Sequence, residues 1–145
     1  VYTFERCPDG YGFIKKNIGS AYEGLSADSN KITNSESAAR AYEKALGYYT
    51  HERIPEEHTA ILVSLGAIYQ LLAESIDRAA NCRKAIDCYD MILGVYNLED
   101  HPEEYAAALN NLGVVYRMLA EHGDKAESCT RALGCYSRAL RVYTE

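Results

Sequence analysis

Cysteine, histidine and paired glutamate are the side chains whose types and spacing in this sequence could do chemistry. Cys82 and Cys88 stand six residues apart, and Cys129 and Cys135 repeat that spacing. Two thiolates make a zinc or redox site only when both sulfurs converge, as they do across a CxxC turn. Six residues of helix turn through about 600°, which sends the two sulfurs to different faces. Each cysteine is therefore read as a small core residue, and no metal site is expected. The histidines His51, His58, His101 and His122 keep no fixed spacing to a cysteine or a carboxylate. Glu56-Glu57 and Glu103-Glu104 resemble acid–base pairs, but each follows a proline at a helix start, where carboxylates offset the helix dipole. No GxGxxG, GxxxxGK or GxSxG run occurs. Neither catalysis nor a cofactor is expected.

These residues recur because the chain itself recurs. The stretch Pro102 to Tyr116, PEEYAAALNNLGVVY, has its frame repeated 47 residues earlier as Pro55-Glu-Glu…Leu65-Gly66…Tyr69, and again as Pro8…Ile18-Gly19…Tyr22. Residues 55–98 align with 102–145 without a gap, and 20 of the 44 positions are identical. All three copies agree at Pro8/55/102, Gly19/66/113, Tyr22/69/116, Leu25/72/119, Ala38/85/132, Tyr42/89/136, Leu46/93/140 and Tyr49/96/143. The units are then 8–54, 55–101 and 102–145, with 1–7 as the end of a preceding helix. Val1-Tyr2-Thr3 also matches Val142-Tyr143-Thr144, so the chain is expected to belong to a longer array.

Within a unit the apolar positions step by three and four. Leu62, Leu65, Tyr69 and Leu72 share one helical stripe; Ala85, Tyr89, Ile92, Leu93 and Tyr96 share another. Each unit is thus two amphipathic helices of roughly 20 residues, about 30 Å long. The first opens at Pro8, Pro55 or Pro102. The second opens after Asn30, Asp77 or Asp124, whose side chains are expected to cap the free amides and to carry the helix on to about residue 97 in the middle unit. Links of about three to five residues imply antiparallel neighbours. Gly66 and Gly113 are unfavourable inside a helix by up to about 1 kcal/mol each. The expected compensation is close approach to the backbone at Ala85 and Ala132.

Composition excludes several partners. With 48% hydrophobic and 25% charged residues the chain is ordinary globular material, and its net charge of −6 with no basic run beyond Lys15-Lys16 or Arg83-Lys84 argues against nucleic acid. No apolar run reaches the roughly 20 residues that span a bilayer, and no leader opens the chain, so a cytoplasmic protein with no membrane partner is expected. The odd count of five cysteines, four of them in periodic segments, predicts reduced thiols. Eleven of the 13 tyrosines fall in framework columns or at first-helix starts within the three units, and are read as core instead of as a base-stacking surface. Tyr11, Tyr48 and Tyr105 are expected to be partly exposed. Glu36–Arg40 and Glu127–Arg131, four apart with the acid first, read as pairs on a solvated face.

The runs Leu65-Gly66-x-x-Tyr69 and Leu112-Gly113-x-x-Tyr116, with Ala85-x-x-x-Tyr89 and Ala132-x-x-x-Tyr136, resemble the signatures of the tetratricopeptide repeat. Ala45 and Ala139 keep the family's alanine three residues after the aromatic, whereas Ile92 does not; Lys15, Leu62 and Leu109 stand where a tryptophan is common. The unit is 47 residues instead of 34, a long form similar to repeats of bacterial signalling and scaffold proteins. The resemblance implies an all-α, right-handed α-solenoid of tandem antiparallel helix pairs, with a concave groove lined by the first helix of each unit. Its groove side would hold Phe13, Lys16, Asn17, Ser20 and Glu23, then Ala60, Val63, Ser64, Ala67, Gln70 and Leu71, then Ala107, Asn110, Asn111, Val114, Arg117 and Met118. The implied ligand contacts are Lys16, Asn17, Glu23, Ser64, Gln70, Asn110, Asn111 and Arg117. The family's carboxylate clamp is not expected, because Lys16 alone fits it while Ser20, Ser64, Ala107 and Asn111 occupy its other places. The function implied is a non-catalytic scaffold binding a protein or peptide. The alternative is self-association, a homo-oligomer through exposed repeat ends, motivated by the stripe Ala132/Tyr136/Leu140/Tyr143 with no following repeat to cover it.

Overall fold

The computed structural model describes residues 7–25, 30–121, 123 and 125–144. Six helices follow one another among them: α1 (Pro8–Leu25), α2 (Lys31–Leu46), α3 (Pro55–Ser75), α4 (Arg78–Val95), α5 (Pro102–Ala120) and α6 (Lys125–Arg141). The described residues contain no strand. Two helices fall in each 47-residue frame, and each packs mainly on its neighbours in sequence. The expected caps at Asn30 and Asp77 can be compared with this structure; Asp124, His122 and the segment Val1-Tyr2-Thr3 lie outside the described residues.

Local chemistry accounts for the helix starts. Pro55 and Pro102 open α3 and α5, where a missing amide leaves no helical bond unmade, and Glu56-Glu57 and Glu103-Glu104 follow in the first turn. Asp77 caps α4, its Oδ1 accepting from the Ala80 amide at 3.1 Å, and Asn81 donates to the Ile76 carbonyl at 2.9 Å to close the two-residue link. Asn30 does not cap. Its backbone is left-handed (φ 70°), a conformation asparagine tolerates, and its side chain leaves the α2 amides alone. Asn34 instead donates from Nδ2 to the Leu25 carbonyl at 3.1 Å, tying α2 to the end of α1.

Side-chain contacts give the pairing its direction. In the first unit Leu25 meets Asn34, Gly19 meets Tyr42 and Gly12 meets Tyr48, so α1 and α2 run antiparallel. The links that join units, 47–54 and 96–101, are longer than the three to five residues expected, and α4 ends at Val95, short of residue 97.

The glycines do provide close approach, but to a different partner from the one expected. A Cβ on Gly66 would stand 2.5 Å from Cζ of Tyr89, and one on Gly113 would stand 2.6 Å from Cε1 of Tyr136. Gly19 stands in the same relation to Tyr42. The alanines at 85 and 132 are buried, yet the neighbour that needs the missing methyl is the tyrosine ring one turn further along the second helix. Small does not face small; small faces large.

The core runs from α2 to α6. Tyr89, Ile61, Leu62, Leu65, Ile92, Leu109 and Val115 are its largest fully buried side chains, supplied mainly by α3, α4 and α5. Tyr48 is also part of the core. It was expected to be partly exposed, but it lies over Gly12 beneath the Arg53 guanidinium, 4.4 Å from the ring centre. Tyr11 and Tyr105 are half-buried. Cys82, Cys88 and Cys135 are buried and free, while Cys129 is half-buried.

Candidate functional site

The variable positions of the first helices sit beside a row of invariant tyrosines. In the first unit, α1 carries Lys16, Asn17 and Ser20, and α3 carries Glu57, Ala60, Ile61 and Ser64. These line an open cleft of about 340 Å³ with Tyr42 of α2 among its walls. Lys16 closes one side through an ion pair to Glu57 Oε2 at 2.8 Å, and its ammonium lies 5.6 Å from the Tyr49 ring centre. Glu57 therefore does more than answer the helix dipole: it joins α1 to α3.

Tyr42 is the polar centre of this cleft. Its hydroxyl donates to Glu23 Oε2 at 2.7 Å. Burial first, then the bond and charge of Glu23, push its pKa up to about 12, against the opposing pull of the Ser64 and Ser20 hydroxyls. The phenol is thus neutral and committed as a donor throughout the physiological range. The second unit repeats the arrangement with roles exchanged, since Gln70 Nε2 donates to the Tyr89 hydroxyl at 3.1 Å. Glu23, Gln70 and Arg117 occupy one column, opposite Tyr42, Tyr89 and Tyr136 in another.

A second cleft, of about 420 Å³, lies between α5 and α6. Ala106, Ala107, Asn110, Tyr136, Ala139, Leu140 and Tyr143 line it. Asn110 stands in the column of Lys16, Ala107 in that of Ala60, and Tyr136 in that of Tyr42. Nothing matched this chain: no family model, no curated protein and no solved structure. What the site can do rests on its own geometry.

Of the eight expected contact residues, the structure brings Lys16, Asn17 and Ser64 to the first cleft and Asn110 to the second. Glu23 and Gln70 are held by the tyrosines beside them. Asn111 is half-buried and Arg117 exposed, and neither lines these two clefts. Met118, expected on the groove side, is buried in the core, as its thioether chain favours. The tyrosines and Glu57 were missed as wall residues because their invariance or first-turn position gave each a sufficient structural account.

Burial, with Asp87 and Glu43 nearby, pushes the Cys88 thiol up to about 12, and burial also raises Cys82 and Cys135, which leaves all three thiols protonated and unreactive. Among the described residues no group of three or more His, Cys, Asp or Glu is placed to hold a metal ion, and no helix is long and apolar enough to cross a membrane.

Proposed function

We propose that the chain is a tetratricopeptide-like right-handed α-solenoid of three helix pairs, acting as a non-catalytic scaffold that binds a peptide segment of another protein along its first-helix groove. The observation that supports this most directly is the pair of open clefts, each with an invariant tyrosine in its wall and a variable polar position beside it, Lys16 with Asn17, Ser20 and Ser64 in the first and Asn110 in the second. A fixed aromatic wall with changing amides and hydroxyls suits an extended or helical peptide, which needs apolar contact along its length and hydrogen bonds at chosen points. Lys16 with Asn17 and Ser64 makes one end polar; Asn110 beside Leu140 and Tyr143 makes the other mainly apolar. Buried free thiols at Cys82, Cys88 and Cys135 fit a reducing, cytoplasmic setting.

The test is partner capture from an extract of the source organism, followed by variants. A partner held by the native chain is expected to be lost when Asn17→Ala, Ser64→Ala and Asn110→Ala, all of which line the clefts, are combined, with helical circular dichroism unchanged because none of the three is a core residue. A partner retained at full affinity by the triple variant would falsify the groove assignment.

A further inference from the structure

A third cleft, of about 190 Å³, opens where α2, α3 and α4 meet, and it shares no lining residue with the two clefts described above. Its floor is rigid: Ala39, Tyr69, Leu72 and Asn81 are all buried. Asn81 spends its Nδ2 on the carbonyls of Ile76 and Asp77, at 2.9 and 3.3 Å. Tyr69 donates its hydroxyl to Glu43, and burial together with that carboxylate pushes the phenol pKa up, so this bond persists at neutral pH.

The rim carries four charges, two of each sign. Glu36, Arg40 and Glu43 stand at steps of four and three on one face of α2, and Lys84 lines the cleft from α4. Spacing alone predicts an ion pair between Glu36 and Arg40, as it does between Glu127 and Arg131. Among the described residues only the second forms, at 2.7 Å. Arg40 donates instead to Ser37 Oγ at 3.2 Å, Lys84 lies 5.1 Å from the Tyr69 ring centre, and Glu36 has no hydrogen bond or ion pair among the described residues.

This opening belongs to the junction between units. In the middle unit the columns of Glu36, Arg40 and Glu43 hold Arg83, Asp87 and Asp90, which are exposed although α4 has α3 on one side and α5 on the other.

The balance of charge decides what the cleft can take. A simple anion would meet Arg40 and Lys84 but also the carboxylates of Glu36 and Glu43, and a simple cation would meet the converse. A dipolar ion answers both signs at once and leaves no charge desolvated without a partner. The volume suits a molecule of about the size of an amino acid, and Ala39, Leu72 and Ile76 give it an apolar wall.

We propose that this cleft binds a free α-amino acid with an aliphatic side chain, its carboxylate held by Arg40 and Lys84, its ammonium by Glu36, and its side chain against Leu72 and Ile76. The site is separate from the peptide groove, and neither reading depends on the other.

Titration of L-leucine into the isotope-labelled 145-residue chain, followed by amide chemical shifts, tests this. The amides of 36–43 and 81–84 are expected to move and to saturate in the micromolar to millimolar range. N-acetyl-leucine lacks the ammonium and leucinamide lacks the carboxylate; each is expected to bind at least about tenfold more weakly. Both analogues are read on the native chain, so this arm stands whatever a substitution does to folding. Glu36→Gln, Arg40→Gln and Lys84→Gln are each expected to weaken L-leucine by a similar factor with helical circular dichroism unchanged, since none of the three is a core residue. The absence of a saturating shift with L-leucine at millimolar concentration overturns the proposal. So does equal affinity for either analogue, which would make the cleft a site for a single charge, or undiminished affinity in any of the three variants.

Discussion

At the scale of single residues, the glycine–tyrosine contacts set the spacing within each helix pair. Gly66 gives up helix propensity worth about 1 kcal/mol relative to alanine. Tyr89 cannot swing aside to admit a methyl group, because it is almost fully buried and its hydroxyl accepts from Gln70. Overpacking of this kind costs about 1–3 kcal/mol, more than the propensity returns. Gly66→Ala is accordingly expected to destabilise the protein by up to about 2 kcal/mol net, read as a lower denaturant midpoint. Gly94 is the contrast, with nothing within 4 Å of an added Cβ. The same change there is expected to stabilise by a few tenths to about 1 kcal/mol. An equal response at both positions would remove the tyrosine from the explanation. That a glycine was needed was legible in the sequence; that it faces Tyr89 and not Ala85 was not, because a column assigns a residue to a stripe without saying how far its side chain reaches.

At the scale of the helix, start signals were readable and link lengths were not. Pro8, Pro55 and Pro102 each open a helix, since proline at the first position is a local effect that needs no tertiary partner. The link 47–54 carries no glycine or proline beyond Gly47, and Tyr48 near its start reaches back over Gly12, a contact no local rule announces. His58, at the start of α3, shows how such packing becomes pH dependence. Burial first, then the charge of His51, lowers its pKa from 6.5 against the opposing pull of Glu52, and its Nδ1 is buried with no hydrogen-bond partner among the described residues. A base whose pKa falls on folding takes up its proton more readily when unfolded, so stability is full above the unfolded value near 6.5 and declines as pH falls from there towards the folded one. The other two units have tyrosine in this column, at Tyr11 and Tyr105. Chemical unfolding of His58→Tyr is expected to show a flatter stability profile between neutral pH and about pH 5 than the native chain. An unchanged slope would assign the pH dependence to other groups.

At the scale of the whole molecule, the pattern of contacts decides how stability is shared. Each helix leans mainly on the one before and the one after, so α3 and α4 are flanked on both sides while α1 and α6 each leave one face open. Native-state hydrogen exchange is expected to be slowest in α3 and α4 and fastest in α1 and α6; uniform protection along the chain would mean a single cooperative unit. The repeat made the all-helical architecture legible, since 20 identities in 44 aligned positions fix which stripes face inward. The clefts were less so. Asn17, Ser64 and Asn110 were read as variable positions and do line them, yet Glu23 and Gln70, equally variable, turn out to serve the tyrosines. Variation between copies records that a residue is free of the shared framework in type, not that it is free in space.

The neighbour-to-neighbour contact pattern also has a mechanical consequence. With few contacts bypassing a helix, a pull on the two termini passes through α1 to α6 like tension through links in series. If the proposed solenoid holds, the weakest joint is expected to yield first, and each helix pair that gives way is expected to lengthen the chain by its own share while the rest remain folded.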